Sequence, residues 1–347
     1  MKVKYYDEIN QILERTGQAI ISIGDSFPAG QGTLDVELYK EGLVTTTRIG
    51  IPVSYCGNPS EAVSFAEKYG LSYDINSLGE TEIRFNDMEH KNAFGEVLTK
   101  KYLNGEYANI NLGIAGKGNA ASVNDLLLHP RIHWEKLKKA IVVYVPSGLD
   151  RWDIISDLYN QHIHFNTVWP DGGAPRLTVN SGLWHLSNGY EKSFWTQKFS
   201  VLNQILIMNQ LRLWCKAYNA ELIVTPGFSK EYNRDHFKRA LSVSLQRDRN
   251  LDMVTIHSGV QPTGPGYSSD LLDTWPWDKM FRPENCNTFI GLAMKQEGLD
   301  PHRTDMWDFI GKGSKNYYVT PCSHPGKPAH ELFAKKLFEH FTEKNII

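Results

Sequence analysis

The six residues Ala140-Ile141-Val142-Val143-Tyr144-Val145 narrow the fold more than any other part of this chain. A strand with one wet face alternates apolar and polar side chains. This run does not alternate, so both of its faces must be covered. Gln18–Ile23, Asn109–Leu112 and Glu221–Thr225 read as companion strands, and Met253–His257 as a fifth. Between them lie amphipathic stretches at Tyr5–Arg15, Asp87–Tyr102, Asn119–Leu128, Thr196–Tyr218 and Ala329–Phe341. Strands alternating with helices predict an α/β protein with a mainly parallel central sheet. On the 196–218 helix, Phe199, Leu202, Leu206 and Leu213 form the stripe expected to face the core. On the last helix Phe333, Ala334, Leu337, Phe338 and Phe341 do so, with His330 and His340 expected in solvent. Two stretches, 33–86 and 150–195, exceed what this frame needs and read as insertions. The second is rich in aromatics, among them Trp152, Trp169, Trp184 and Trp195, and Trp275-Pro276-Trp277 adds a further cluster.

The first strand ends in an unusual way. Ile20-Ile21-Ser22-Ile23 stops at Gly24-Asp25-Ser26-Phe27, with Gly30 and Gly32 close behind. Gly, Asp and Ser are all turn formers, so an ordinary turn would look similar. Here the turn lifts a serine hydroxyl off the end of a buried strand. Ser323-His324-Pro325 stands before the last helix. A serine and a distant histidine are the two halves of a hydrolytic nucleophile–base pair.

Taken together, these motifs resemble the SGNH (GDSL) hydrolase family. The resemblance implies one domain over residues 1–347, a three-layer α/β/α sandwich of flavodoxin-like topology with the two insertions. It implies Ser26 as nucleophile and His324 as base. The segment Asn111-Leu112-Gly113-Ile114-Ala115-Gly116 is similar to the family's second block. Gly116 would then join the Ser26 backbone N–H in the oxyanion hole. A glycine suits that task because no side chain screens its N–H.

Two blocks depart from the family. Where it carries Gly-x-Asn-Asp, this chain has Ser147-Gly148-Leu149-Asp150-Arg151. An ionised Asp150 cannot donate a hydrogen bond to an oxyanion, and losing one such donor costs about 2.7–4 kcal/mol in the transition state. The Ser147 hydroxyl or the Asn119 amide are the substitutes, and Asp25 completes the set of supporting candidates. Three residues before His324, where the family has an orienting aspartate, stands Pro321. Loss of such an acid lowers turnover about 10⁴-fold in a comparable triad. A backbone carbonyl such as that of Pro321, or Asp305 or Asp308 from another loop, would have to orient the imidazole.

The resemblance needs neither metal nor cofactor. Gly116-Lys117-Gly118-Asn119-Ala120-Ala121 has the form of a dinucleotide fingerprint, but it follows the second strand rather than the first. His162 and His164 alternate as metal ligands on one strand face would, without a third ligand at a telling spacing. Net charge is −2 with no block of like charges, and Lys136, Lys138 and Lys139 read as a solvated face, so no nucleic-acid partner is expected. Four scattered cysteines suggest free thiols. Ala19–Ile23 is too short for a signal-peptide core, and no apolar run is long enough to cross a bilayer. A soluble protein made in the cytoplasm is expected.

Two functions follow as expectations. The first is a serine esterase acting on a small-molecule or carbohydrate ester, with a short acyl group such as acetyl. The second is a catalytically weak or inactive scaffold that binds or builds. The divergent blocks also look similar to phage-borne members of the family, which would make it a virion-associated component. Its aromatic insertions would then contact neighbouring subunits or further copies of the chain.

Overall fold

The computed structural model describes residues 2–33, 63–64, 67, 72–75, 81–84, 90–114, 117–149, 151–156, 161–166, 197–242, 269–309, 312–321 and 323–347. In chain order the main elements begin with α1 (Lys2–Thr16), β1 (Gln18–Gly24) and the single-turn α2 (Ser26–Ala29). The pair β2 (Ser72–Ile75) and β3 (Thr81–Arg84) follows. Next come α3 (Phe94–Val97), continued by a wider turn over Leu98–Tyr102, then β4 (Ala108–Asn111), α4 (Asn119–Leu128) and β5 (Lys139–Val145). A second pair, β6 (Arg151–Ser156) and β7 (Gln161–Asn166), precedes α5 (Gln197–Ala217) and β8 (Ala220–Val224). The chain closes with α6 (Arg234–Ser242), the short α7 (Ser269–Asp273), α8 (Phe289–Gln296) and α9 (Lys327–Glu343).

The centre is a four-stranded, all-parallel sheet in the order β4-β1-β5-β8. β5 divides its side chains between two cores, as a strand covered on both faces must. Ala140, Val142 and Tyr144 pack with Leu13 of α1, Val123 of α4, and Ile205 and Met208 of α5. Ile141, Val143 and Val145 pack on the other side with Phe94 of α3, Phe289 of α8, and Phe333 and Leu337 of α9. Helices therefore cover both faces, an arrangement compatible with a three-layer sandwich. Each such aliphatic side chain contributes about 1.5–3 kcal/mol by leaving water.

Local chemistry sets the boundaries. Gly17 ends α1 at φ +65, and its carbonyl accepts from the N–H groups of Lys138 and Lys139, which aligns the starts of β1 and β5. Pro328 sits in the first turn of α9, where a missing N–H costs nothing. Of the helix expected over Asp87–Tyr102, residues 87–89 lie outside the described residues, His90, Lys91 and Asn92 are helical, and after a bend at Ala93 the helix resumes at Phe94. The two antiparallel pairs, β2–β3 and β6–β7, fall within the stretches read as insertions. His162 and His164 lie on β7 opposite Ile155 and Asp153. The strand expected at 253–257 lies outside the described residues. Among the described residues no helix is long and apolar enough to cross a membrane.

His330, Leu206 and Leu213 lie elsewhere than expected. His330 is fully buried rather than solvated. Leu206 and Leu213 are 62% and 68% exposed, while Val201, Ile205, Met208 and Leu211 of the same helix are buried. Trp275 is a core residue, 1% exposed and packed edge-on to Phe237.

Candidate active site

The site forms where β1 gives way to α2. Gly24 leaves the sheet at φ +142. Asp25 then caps the following turn, its side chain accepting from the Phe27 N–H at 3.3 Å. Gly30 stops the turn in the left-handed region and returns its N–H to the Phe27 carbonyl at 3.1 Å. Ser26 is thus the first residue of a one-turn helix, and its own N–H has no acceptor inside that helix. The hydroxyl is held at a fixed place beside a free amide donor.

His324 arrives from 298 positions away in the chain, and its Nε2 lies 2.9 Å from Ser26 Oγ. A tight turn presents it. The Thr320 N–H and hydroxyl both donate to the His324 carbonyl, at 2.8 and 3.0 Å, and the Ser323 N–H donates to the Thr320 carbonyl at 2.8 Å. The imidazole packs against the Phe27 ring with centroids 5.6 Å apart. With its proton on Nδ1, the ring accepts from the serine hydroxyl, the arrangement a general base needs. Asp305 and Asp308, considered from sequence as orienting acids, are both exposed, and Asp305 caps its own turn by accepting from the Trp307 N–H at 3.0 Å.

The loop after β4 lies flush against α2. A Cβ on Gly113 would stand 2.4 Å from the Ala29 nitrogen, so only glycine fits. Asn111 ties the two together: its Nδ2 donates to the Pro28 carbonyl at 2.6 Å and its Oδ1 accepts from the Gly113 N–H at 2.9 Å. Beyond that loop Lys117 is buried and ion-paired with Asp125. Gly116 and Asp150 lie outside the described residues.

Asn119 and Ser147 link the loops that follow β4 and β5, the strands on either side of β1. Asn119 Oδ1 accepts from both the N–H and the hydroxyl of Ser147, at 2.8 and 3.2 Å. Its Nδ2 donates to the Gly148 carbonyl at 3.3 Å and to the Tyr232 hydroxyl at 3.1 Å. Tyr232 in turn donates to the Ser147 carbonyl at 2.8 Å. Both amide hydrogens of Asn119 are therefore engaged in holding the loops that follow β5 and β8.

A second histidine stands behind the first. His330 Nδ1 accepts from the Phe94 N–H at 3.1 Å, which puts the ring proton on Nε2. Burial among Phe94, Phe289 and Phe333, with the charge of His324 nearby as the lesser cause, pushes its pKa down to about 3. It stays neutral at pH 7.

Little of this pair meets solvent: Ser26 is 3% exposed and His324 7%. A hollow of about 550 Å³ lined by Lys139, Glu221, Lys279 and His340 lies instead at the N-terminal ends of β5 and β8, the opposite end of the sheet. The hydrogen-bonded Ser26 and His324 lie at the other end, beyond the carboxyl end of β1. Among the described residues no group of three or more His, Cys, Asp or Glu side chains is placed to hold a metal ion. No protein-family model, curated protein or solved structure matches the chain.

Tyr232 and His330 escape sequence reasoning for the same reason. Each acts through a partner about 85–236 positions away, and no local pattern announces such a contact.

Proposed function

We propose that this chain is a serine hydrolase of ester bonds, of the SGNH type. The observation that carries the reading is the 2.9 Å hydrogen bond between Ser26 Oγ and His324 Nε2. Counting parallel strands in chain order, the sheet runs 2-1-3-4. Among the described residues this agrees with the first four strands of the flavodoxin-like order 2-1-3-4-5, in which ligands bind at the carboxyl ends of the strands beside the point where the order reverses. Ser26 follows the carboxyl end of β1, at that reversal, which supports the reading.

In this mechanism Ser26 Oγ attacks the ester carbonyl while His324 Nε2 takes its proton. The Ser26 N–H, at the unsatisfied start of α2, and the Gly116 N–H hold the oxyanion. As the intermediate collapses, His324 returns the proton to the departing alcohol. Water then attacks the acyl-serine with His324 again as base, releasing the acid and the free hydroxyl. The family resemblance implies a short acyl group, such as acetyl, on a carbohydrate.

The test is a serine-directed fluorophosphonate together with a short-chain aryl ester. Wild type should be labelled at Ser26 and turn over the ester. Ser26→Ala should lose both, and His324→Gln should slow both by about 10⁴–10⁶-fold.

One observation favours a second reading, a binding or virion scaffold without catalysis. The 3% exposure of Ser26 leaves a substrate little room to approach. Absence of both label and turnover in the folded wild type would select that reading and remove the first.

A further inference from the structure

We infer that Glu297 positions His324, acting as the anchor of the loop that carries it. The inference rests on the hydrolase reading only for its catalytic consequence. Glu297 follows α8 as its C-terminal cap. An acid is ill-placed there, because the carbonyl end of a helix repels negative charge. Its carboxylate is met by four donors from a single loop. Oε1 accepts from the Ser314 hydroxyl at 2.7 Å, the Asn316 N–H at 2.9 Å and the Tyr318 N–H at 3.3 Å. Oε2 accepts from Asn316 Nδ2 at 3.0 Å.

That loop is one arm of the histidine turn. Ser314 closes it on itself, its N–H donating to the Val319 carbonyl at 2.7 Å and its Oγ accepting from the Val319 N–H at 3.0 Å. Val319 bridges to Pro325, and the Gly326 N–H donates to the Tyr318 carbonyl at 3.0 Å, so His324 is gripped on both sides. Between the arms Ser323 is held at φ +64. A non-glycine residue keeps that conformation only where its surroundings over-determine it. Glu297 supplies such a surrounding from outside the turn. Without it the loop loses four hydrogen bonds at once, and the imidazole is no longer fixed at 2.9 Å from Ser26.

The test uses the full chain with Glu297→Ala, Glu297→Gln and Ser314→Ala. Two readouts are taken: the rate of fluorophosphonate labelling at Ser26, and the ¹⁵N–¹H imidazole signal of His324, assigned by its loss in His324→Gln. In Glu297→Ala labelling should slow about 100-fold, as expected for a group displaced by around an ångström, and the His324 signal should move or broaden. Glu297→Gln keeps the Oε1 acceptor and should recover most of the rate. The His330 signal should stay put in all variants. If Glu297→Ala fails to fold, Glu297→Gln and Ser314→Ala decide, each with a smaller loss in the same direction.

A folded Glu297→Ala with wild-type labelling and an unmoved His324 signal overturns the inference and leaves the hydrolase reading intact. An unlabelled wild type overturns the hydrolase reading, and the inference then stands or falls on the His324 signal alone.

Discussion

Gly24 lies so close to Val145 that a Cβ built on it would stand 2.2 Å from the Val145 carbonyl oxygen. The two are register partners at the ends of β1 and β5, just before the chain turns to present Ser26. Gly24 also holds φ +142, which L side chains rarely adopt. Gly24→Ala should therefore destabilise the fold by about 2–5 kcal/mol, from strain and overlap together. Gly105→Ala is the control: φ is +70 there, but no atom lies within 4 Å, so only the smaller conformational cost of about 1–2 kcal/mol applies. Urea midpoints of the two variants decide the matter. Equal losses would show that the close approach at Gly24 does not matter.

His330 makes the fold acid-sensitive. Its folded pKa is lowered to about 3 from an ordinary 6.5, so the native state refuses a proton that the unfolded chain accepts. The contribution of its neutral form is full above pH 6.5 and is lost as pH falls from 6.5 towards 3. At 1.36 kcal/mol per unit it amounts to about 5 kcal/mol over the whole window. His330→Asn keeps an acceptor near the Phe94 N–H and removes the titration. Its stability should fall less steeply between pH 6.5 and 4 than that of wild type. Parallel acid limbs would refute the assignment.

Cys215 should be inert. Burial, seconded by the charge of Glu221, pushes its thiol up to about 12. At pH 8 a group of that pKa is about one part in ten thousand thiolate, the only form that alkylates. Peptide mapping after iodoacetamide should find Cys215 unmodified in the native protein and modified in urea. Modification of native Cys215 at the rate of a free thiol would be incompatible with its packing.

The parts of the fold legible in the sequence are those whose signal is local. The unbroken apolar run of β5 announces a doubly covered strand, and the structure has Val142 and Val143 in opposite cores. Asn119–Leu128 is a helix to the residue. The face of α5 was not legible, because Val201, Leu202, Ile205, Leu206, Ile207, Met208, Leu211 and Leu213 leave it apolar around most of its circumference. A period of 3.6 then identifies a helix without choosing which side meets the sheet. Tertiary packing buried Ile205 and Met208 and left Leu206 and Leu213 outside. At the site the same division holds. Gly24-Asp25-Ser26 and Ser323-His324 stand out because each is a short motif at an element's end. Glu297 and Tyr232 do not, because their partners are set by how distant loops meet.

Tyr232 gives the last prediction. Its hydroxyl accepts from Asn119 and donates to the Ser147 carbonyl, so it closes a buried ring of hydrogen bonds joining the loops after β4, β5 and β8. Tyr232→Phe keeps the ring's packing against Phe237 and Trp275 and removes one oxygen. It strands a buried donor on Asn119 and an acceptor on Ser147, which costs about 1–3 kcal/mol. For a chain of this size that should lower Tm by about 1–4 °C. Because the same ring fixes Ser147 and Gly148 in the loop after β5, the strand paired with β1, labelling of Ser26 should slow as well. An unchanged Tm would mean that water replaces the hydroxyl and that the network carries no stability. An unchanged labelling rate with a lowered Tm would confine Tyr232 to the scaffold.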